Sequence, residues 1–128
     1  MPDWKTYHAQ ASARGALALE LFVTVSSPAP GGPPVPDILP DQLAYQRLLE
    51  QGGQLFLAGP MSDETGSRID GAGMVIYRAA SLEDARALAD ADPMHARGAR
   101  RYTLRRWMVN EGAFNLGVGL STGRVALA

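Results

Sequence analysis

A chain of 128 residues with 46% hydrophobic and 20% charged residues has the makings of one soluble globular domain with a proper core. Its formal net charge of −1 gives no electrostatic reason for nucleic acid or an anionic membrane as partner, and acidic residues elsewhere balance the local cluster Arg97, Arg100, Arg101, Arg105 and Arg106. With no cysteine, disulfides, thiolate metal sites and a cysteine nucleophile are excluded; with no signal pattern and no long apolar run, a membrane span is not expected and a reducing cytoplasm fits.

Residues 1–15 read as an N-terminal arm, with Trp4, Tyr7 and Ala11 at helical spacing; 16–128 read as a single domain. In the first strand Leu17, Leu19, Leu21, Val23 and Val25 alternate with Ala18, Glu20, Phe22 and Thr24. The stretch Ser26–Pro36 is too rich in Pro and Gly for a helix or a central strand, which leaves a mobile lid or a plain surface loop. A helix is predicted over Asp41–Gln51, with Pro40 in its first turn and Gly52-Gly53 as its stop. Strands are predicted over Gln54–Ala58 and Gly71–Ala79, on either side of a polar turn at Met61–Asp70.

The segment Ala80–Gly98 is the most informative in the chain. Ser81 is a good N-cap with Asp84 three residues on, and Leu82, Ala85, Leu88 and Ala89 share one helical face. Pro93 stops that helix and biases Asp92 to an extended conformation. A carboxylate and an imidazole, Asp92 and His95, thus fall on one tight turn. A strand over Arg100–Asn110 follows, then an extra C-terminal strand at Phe114–Leu120 and a tail or edge segment.

The order β-α-β-β-α-β predicts an α+β, ferredoxin-like antiparallel sheet with two helices on one face. Phe22, Phe56, Val75 or Tyr77, and Trp107 are expected opposite the leucine face, so both faces are apolar and the second needs a cover. The economical cover is a second copy, which predicts a homodimer.

The chain resembles the YCII-related family of small dimeric α+β barrel proteins. The matching pieces are Gln42-Leu43-Ala44-Tyr45, Gly53, Leu57-Ala58-Gly59-Pro60-Met61, Ser81-Leu82-Glu83-Asp84-Ala85, and Ala89-Asp90-Ala91-Asp92-Pro93 with Gly98. The resemblance implies a small-molecule protein, with dehydrochlorinase-like chemistry among its members and muconolactone isomerases and stress-responsive proteins among related barrels. It also implies an active-site His and Asp. The Asp carries over to Asp92, whereas the position of the His is Gln42, an amide that hydrogen-bonds but is no general base near neutral pH.

Each candidate residue has two readings. Asp92 caps its turn or serves a site, and His95 shuttles protons or lies on the surface. Gln42 orients a ligand or lies exposed, and Tyr45 one turn on lines the same pocket or packs in the core. Trp107 packs a dimer core or stacks a ligand, and Arg105 on the same face holds a carboxylate or pairs with a group such as Glu20. Glu20, if it faces the barrel, needs a partner or a raised pKa. His8 is given no role. Gly117–Gly123 lacks the Lys-Ser/Thr of a P-loop, and neither a GxSxG elbow nor an HExxH pattern is present. No metal and no cofactor are expected. Two functions follow: an unidentified small organic ligand handled by acid–base isomerase or lyase chemistry, or a non-catalytic dimeric module for sensing or assembly.

Overall fold

The computed structural model describes residues 1–127. In chain order its elements are α1 (Trp4–Ala13), β1 (Leu19–Pro28), α2 (Val35–Gln51), β2 (Leu55–Ser62), β3 (Ile69–Tyr77), α3 (Leu82–Ala91), α4 (Pro93–Ala96), β4 (Arg100–Val109), β5 (Leu116–Val118) and β6 (Val125–Leu127). The first four strands form one sheet in the order β2-β3-β1-β4, with β3 antiparallel to both β1 and β2. This is the ferredoxin-like arrangement, in which each β-α-β connection skips one strand.

The polypeptide divides into two compact units. The larger, Glu20–Trp107, carries the sheet with α2, α3 and α4. Its core places Phe22, Val75 and Tyr77 from the sheet against Leu49 of α2 and Ala85 and Ala89 of α3. Burying a side chain such as Phe22 contributes about 1.5–3 kcal/mol. A second cluster joins Ile38 of α2 to Met94 and Ala99, with Val35 packed on it.

The register corrects the expected assignment of faces. Phe22 pairs with Tyr77 and Thr24 with Val75, so these four share the face under the helices. Leu21, Val23 and Val25 point the other way. Apolar residues alternate with apolar residues along β1, so periodicity could not choose between faces. The small Ala85 and Ala89 let α3 sit close over the aromatic face. Trp107 does lie opposite the helices, because Tyr102 and Leu104 of the same strand pack on the helix side. In β2 the register shifts between Leu55 and Leu57, so Leu55 meets Tyr77 while Leu57 meets Ile76 on the open face.

Helix α2 begins at Val35, earlier than Asp41, because Pro36 lies in its first turn, where the missing N–H has no partner to lose. The expected Pro-rich loop is thereby shortened to residues 29–34, its two ends absorbed into β1 and α2. Strand β2 runs through Gly59-Pro60 to Ser62, and an edge strand tolerates the proline. Helix α3 starts as its sequence predicts, with the Ser81 hydroxyl accepting the Asp84 N–H at 3.1 Å.

The smaller unit comprises Met1–Leu19 and the chain from Met108 onward. Asp3 caps α1 by accepting the Thr6 N–H at 2.8 Å, and His8 Nε2 donates to the Ala18 carbonyl at 3.1 Å. Strands β5 and β6 form a separate two-stranded sheet in place of one added strand. No helix among the described residues is long and apolar enough to cross a membrane.

Candidate functional site

The turn between α3 and α4 is built around Asp92. Its backbone leaves helical geometry at ψ 125°, as the residue before a proline should, and its Oδ1 accepts the Met94 N–H at 2.8 Å. The side chain is only 1% exposed. A buried carboxylate requires further hydrogen bonds. The second comes from α2, where Gln42 Nε2 donates to Asp92 Oδ2 at 3.4 Å. That distance is long for such a bond, so the pair is readily exchanged for a better partner.

Gln42 also lines a cavity of about 540 Å³ between α2 and the helix-side face of the sheet. Leu39 and Leu43 of α2 and Met94 of α4 form its apolar walls, and Ala58, Gly59, Gly73 and Val75 its floor. Arg100, the first residue of β4, closes one side. Its Nε donates to Ser26 Oγ at 3.0 Å, and its Nη2 donates to the Ser26 carbonyl at 3.1 Å and to the Gly71 carbonyl. Burial lowers the Arg100 pKa, while the charge of Asp92 opposes that shift.

Two tyrosines lie behind the cavity. The Tyr45 hydroxyl donates to the Leu88 carbonyl at 2.6 Å and ties α2 to α3. Burial first, and then the Asp92 charge, raises its pKa. Tyr77 is fully buried, and its hydroxyl meets no hydrogen-bond partner among the described residues. Burial, then Asp92 and Tyr45, push its pKa well above the ordinary tyrosine value, with Thr24 acting weakly the other way. The hydroxyl contributes desolvation cost without a bond. Tyr77→Phe is therefore expected to leave stability unchanged or raise it by up to about 1 kcal/mol. Urea unfolding checks this, and a clear loss of stability would mean that the hydroxyl is satisfied by a group such as a buried water.

The remaining sequence candidates lie elsewhere. His95 does not line the cavity. Its Nδ1 lies 2.6 Å from the Ala89 carbonyl, which only accepts, so Nδ1 carries the hydrogen. Its ring stacks at 35° on Tyr102, 4.5 Å between centroids, and the Tyr102 hydroxyl donates to Asp90 Oδ1 at 2.5 Å. His95 thus holds the end of α3, three residues from Asp92 but away from Gln42. Arg105 and Trp107 lie on the open face, opposite the cavity, and Glu20 is exposed and outside its lining. Gln42 and Asp92 come together; Tyr45 stands behind them. Arg100, in sequence one of a basic cluster, is a cavity residue that composition does not single out. Alternation with Tyr102 and Leu104 is the signal that puts it under the helices. Among the described residues no three His, Asp or Glu side chains gather where they could hold a metal ion.

No curated protein matches the chain. A solved structure with a similar fold is 5-chloro-2-hydroxyhydroquinone dehydrochlorinase from Burkholderia phenoliruptrix AC1100 in complex with 2,5-dihydroxybenzoquinone. The two superpose with a TM-score of 0.56 and 24% identity, over 68% of this chain and 92% of that one. The family model of the YCII-related domain matches residues 21–108, well over half of the chain and all four strands of the main sheet. The chain belongs to the YCII-related domain family.

Proposed function

We propose that the protein is a homodimer that binds a small, oxygen-bearing organic molecule in the cavity beneath α2, and that Asp92 exchanges a proton with it. The observation that carries this reading is a buried carboxylate held one side chain behind the cavity wall by a long, replaceable bond from Gln42. A ligand oxygen that takes over the Gln42 amide leaves Asp92 Oδ2 free to accept a proton from the ligand. The cavity volume is ample for a small ringed molecule. The chemistry is then a cofactor-free elimination or isomerisation. The dehydrochlorinase with a similar fold, and the quinone bound to it, support that class of reaction and ligand. His95 serves by fixing the turn that carries Asp92. The cysteine-free composition fits residence in the cytoplasm.

The dimer rests on the open face of the sheet. Val25, Leu57 and Trp107 are 41%, 49% and 43% exposed there, flanked by Val23 and Met74. A second copy packed sheet to sheet is the cover that matches such a face. A second reading, a non-catalytic sensing or assembly module, is favoured by one observation: both Asp92 oxygens already accept protein N–H groups, and the partner is an amide.

The test combines light scattering, calorimetric titration with 2,5-dihydroxybenzoquinone and small aromatic acids, and chloride release from 5-chloro-2-hydroxyhydroquinone. A dimer mass, binding, and turnover that Asp92→Asn abolishes are expected. Binding without turnover would select the sensing module. A monomer mass would remove the dimer, and failure of every probe to bind would remove the small-molecule reading.

A further inference from the structure

We propose that Arg100 is an anion-binding residue, so that the cavity selects an organic monoanion with an apolar body over its neutral counterpart. This rests on the small-molecule reading above and names the class of ligand.

Three of the five guanidinium N–H groups are spent on Ser26 Oγ and on the carbonyls of Ser26 and Gly71. All three acceptors are neutral. They hold the side chain in one orientation without cancelling its charge. The Nη1 end, with two N–H groups, has no protein partner among the described residues, and the side chain lines the cavity. The salt bridge found among those residues joins Arg97 to Asp41 at 2.6 Å between two exposed side chains and does not involve Arg100.

A partly buried cation without an ion-pair partner bears a desolvation cost that a ligand anion can offset. Asp92 is near enough to favour the charged guanidinium, yet it does not pair with it. Its own hydrogen bonds go to Gln42 and Met94. One fixed cation beside one buried carboxylate suits a single negative charge, since a second would meet Asp92. Two adjacent N–H groups on a planar cation match a carboxylate or an ionised ring hydroxyl beside a carbonyl. The apolar walls of Leu39, Leu43 and Met94 take the rest of such a molecule.

The alternative for Arg100 is a purely structural clamp joining β4 to β1 and β3. A clamp would cost stability when removed but would not discriminate between ligands of different charge. The probes are therefore matched pairs of a monoanion and its neutral counterpart: benzoate against benzamide, and phenylacetate against phenylacetamide. Affinities are measured by calorimetry on the intact protein. The wild type is expected to bind each anion about tenfold or more tightly than its neutral partner. Arg100→Gln is expected to bring that ratio close to one, Arg100→Lys to restore part of it, and Arg86→Gln on α3 to leave it unchanged. If Arg100→Gln does not fold, the wild-type ratio and the Arg100→Lys variant decide. Equal affinity for anion and neutral partner in the wild type would overturn the proposal and leave the small-molecule reading standing. An anion preference that survives in Arg100→Gln, or in full in Arg100→Lys, would overturn the role of the guanidinium. If neither member of either pair binds, the small-molecule reading fails and this proposal fails with it.

Discussion

Gly32→Ala is expected to lower the melting temperature by about 10 °C, through a loss of some 2–4 kcal/mol. A Cβ at Gly32 would sit 2.2 Å from the Gly98 carbonyl oxygen and 3.2 Å from that of Ala29. Both obstacles are backbone, so no side chain can swing aside. Neither segment is free to retreat. Gly98 closes α4 with φ +76° and an N–H bond to His95, and Ala99 donates to Met94 at 2.9 Å. On the other side Ala29 donates to the Ala99 carbonyl at 2.9 Å, and Gly32 to Ala29 at 3.1 Å. The short connection from β1 to α2 is thus seated on the turn that precedes Arg100. Thermal unfolding followed by circular dichroism measures the effect. A melting temperature within the error of the wild type would mean that the connection does not rest on Gly98.

Asp92→Ala is expected to cost about 2–4 kcal/mol, whereas Asp92→Asn costs about 1 kcal/mol. Alanine removes the cap from Met94 N–H, strips the Gln42 amide of its acceptor, and leaves a void at a buried position. Asparagine keeps the volume and one acceptor oxygen for Met94 while losing the negative charge. Urea unfolding of the two variants separates the terms. Equal losses would mean that the charge, and not the cap and packing, carries the structural role. The contrast matters for function, because only the asparagine variant tests proton exchange on an intact site.

Local chemistry made much of this legible. Ser81, Asp84 and Pro93 mark the start and end of α3 through groups within a few residues, so its bounds could be read directly. Asp92 could be read as a cap for the same reason. The long-range features could not. Phe22 and Leu21 are both apolar neighbours on one strand, and the choice of face depends on Ala85 and Ala89 arriving from α3. The partner of Asp92 lies 50 residues away on α2, and the reach of Gln42 to it depends on where α2 crosses the sheet. His95 shares a turn with Asp92 in sequence, but helix geometry sends its ring back to Ala89. Arg100 is one member of a basic run in sequence, and only the alternation of β4 separates it from Arg101 and Arg105.

The floor of the cavity is made largely of residues that lack side chains of any size. Ala58 and Gly73 lie where a larger strand residue would fill the space, while Gly59 lends only its backbone, because a side chain there would share the other face with Leu57 and Met74. A Cβ at Gly73 would meet its nearest neighbours, the Arg100 Nη2 and the Gly59 carbonyl, at 3.6 Å, an ordinary contact distance. The backbone therefore does not dictate how large a guest is admitted. Single methyl groups added at Ala58 and Gly73 would act as a dial on its dimensions, in ordinary contact with the Arg100 guanidinium and far in sequence from Gln42.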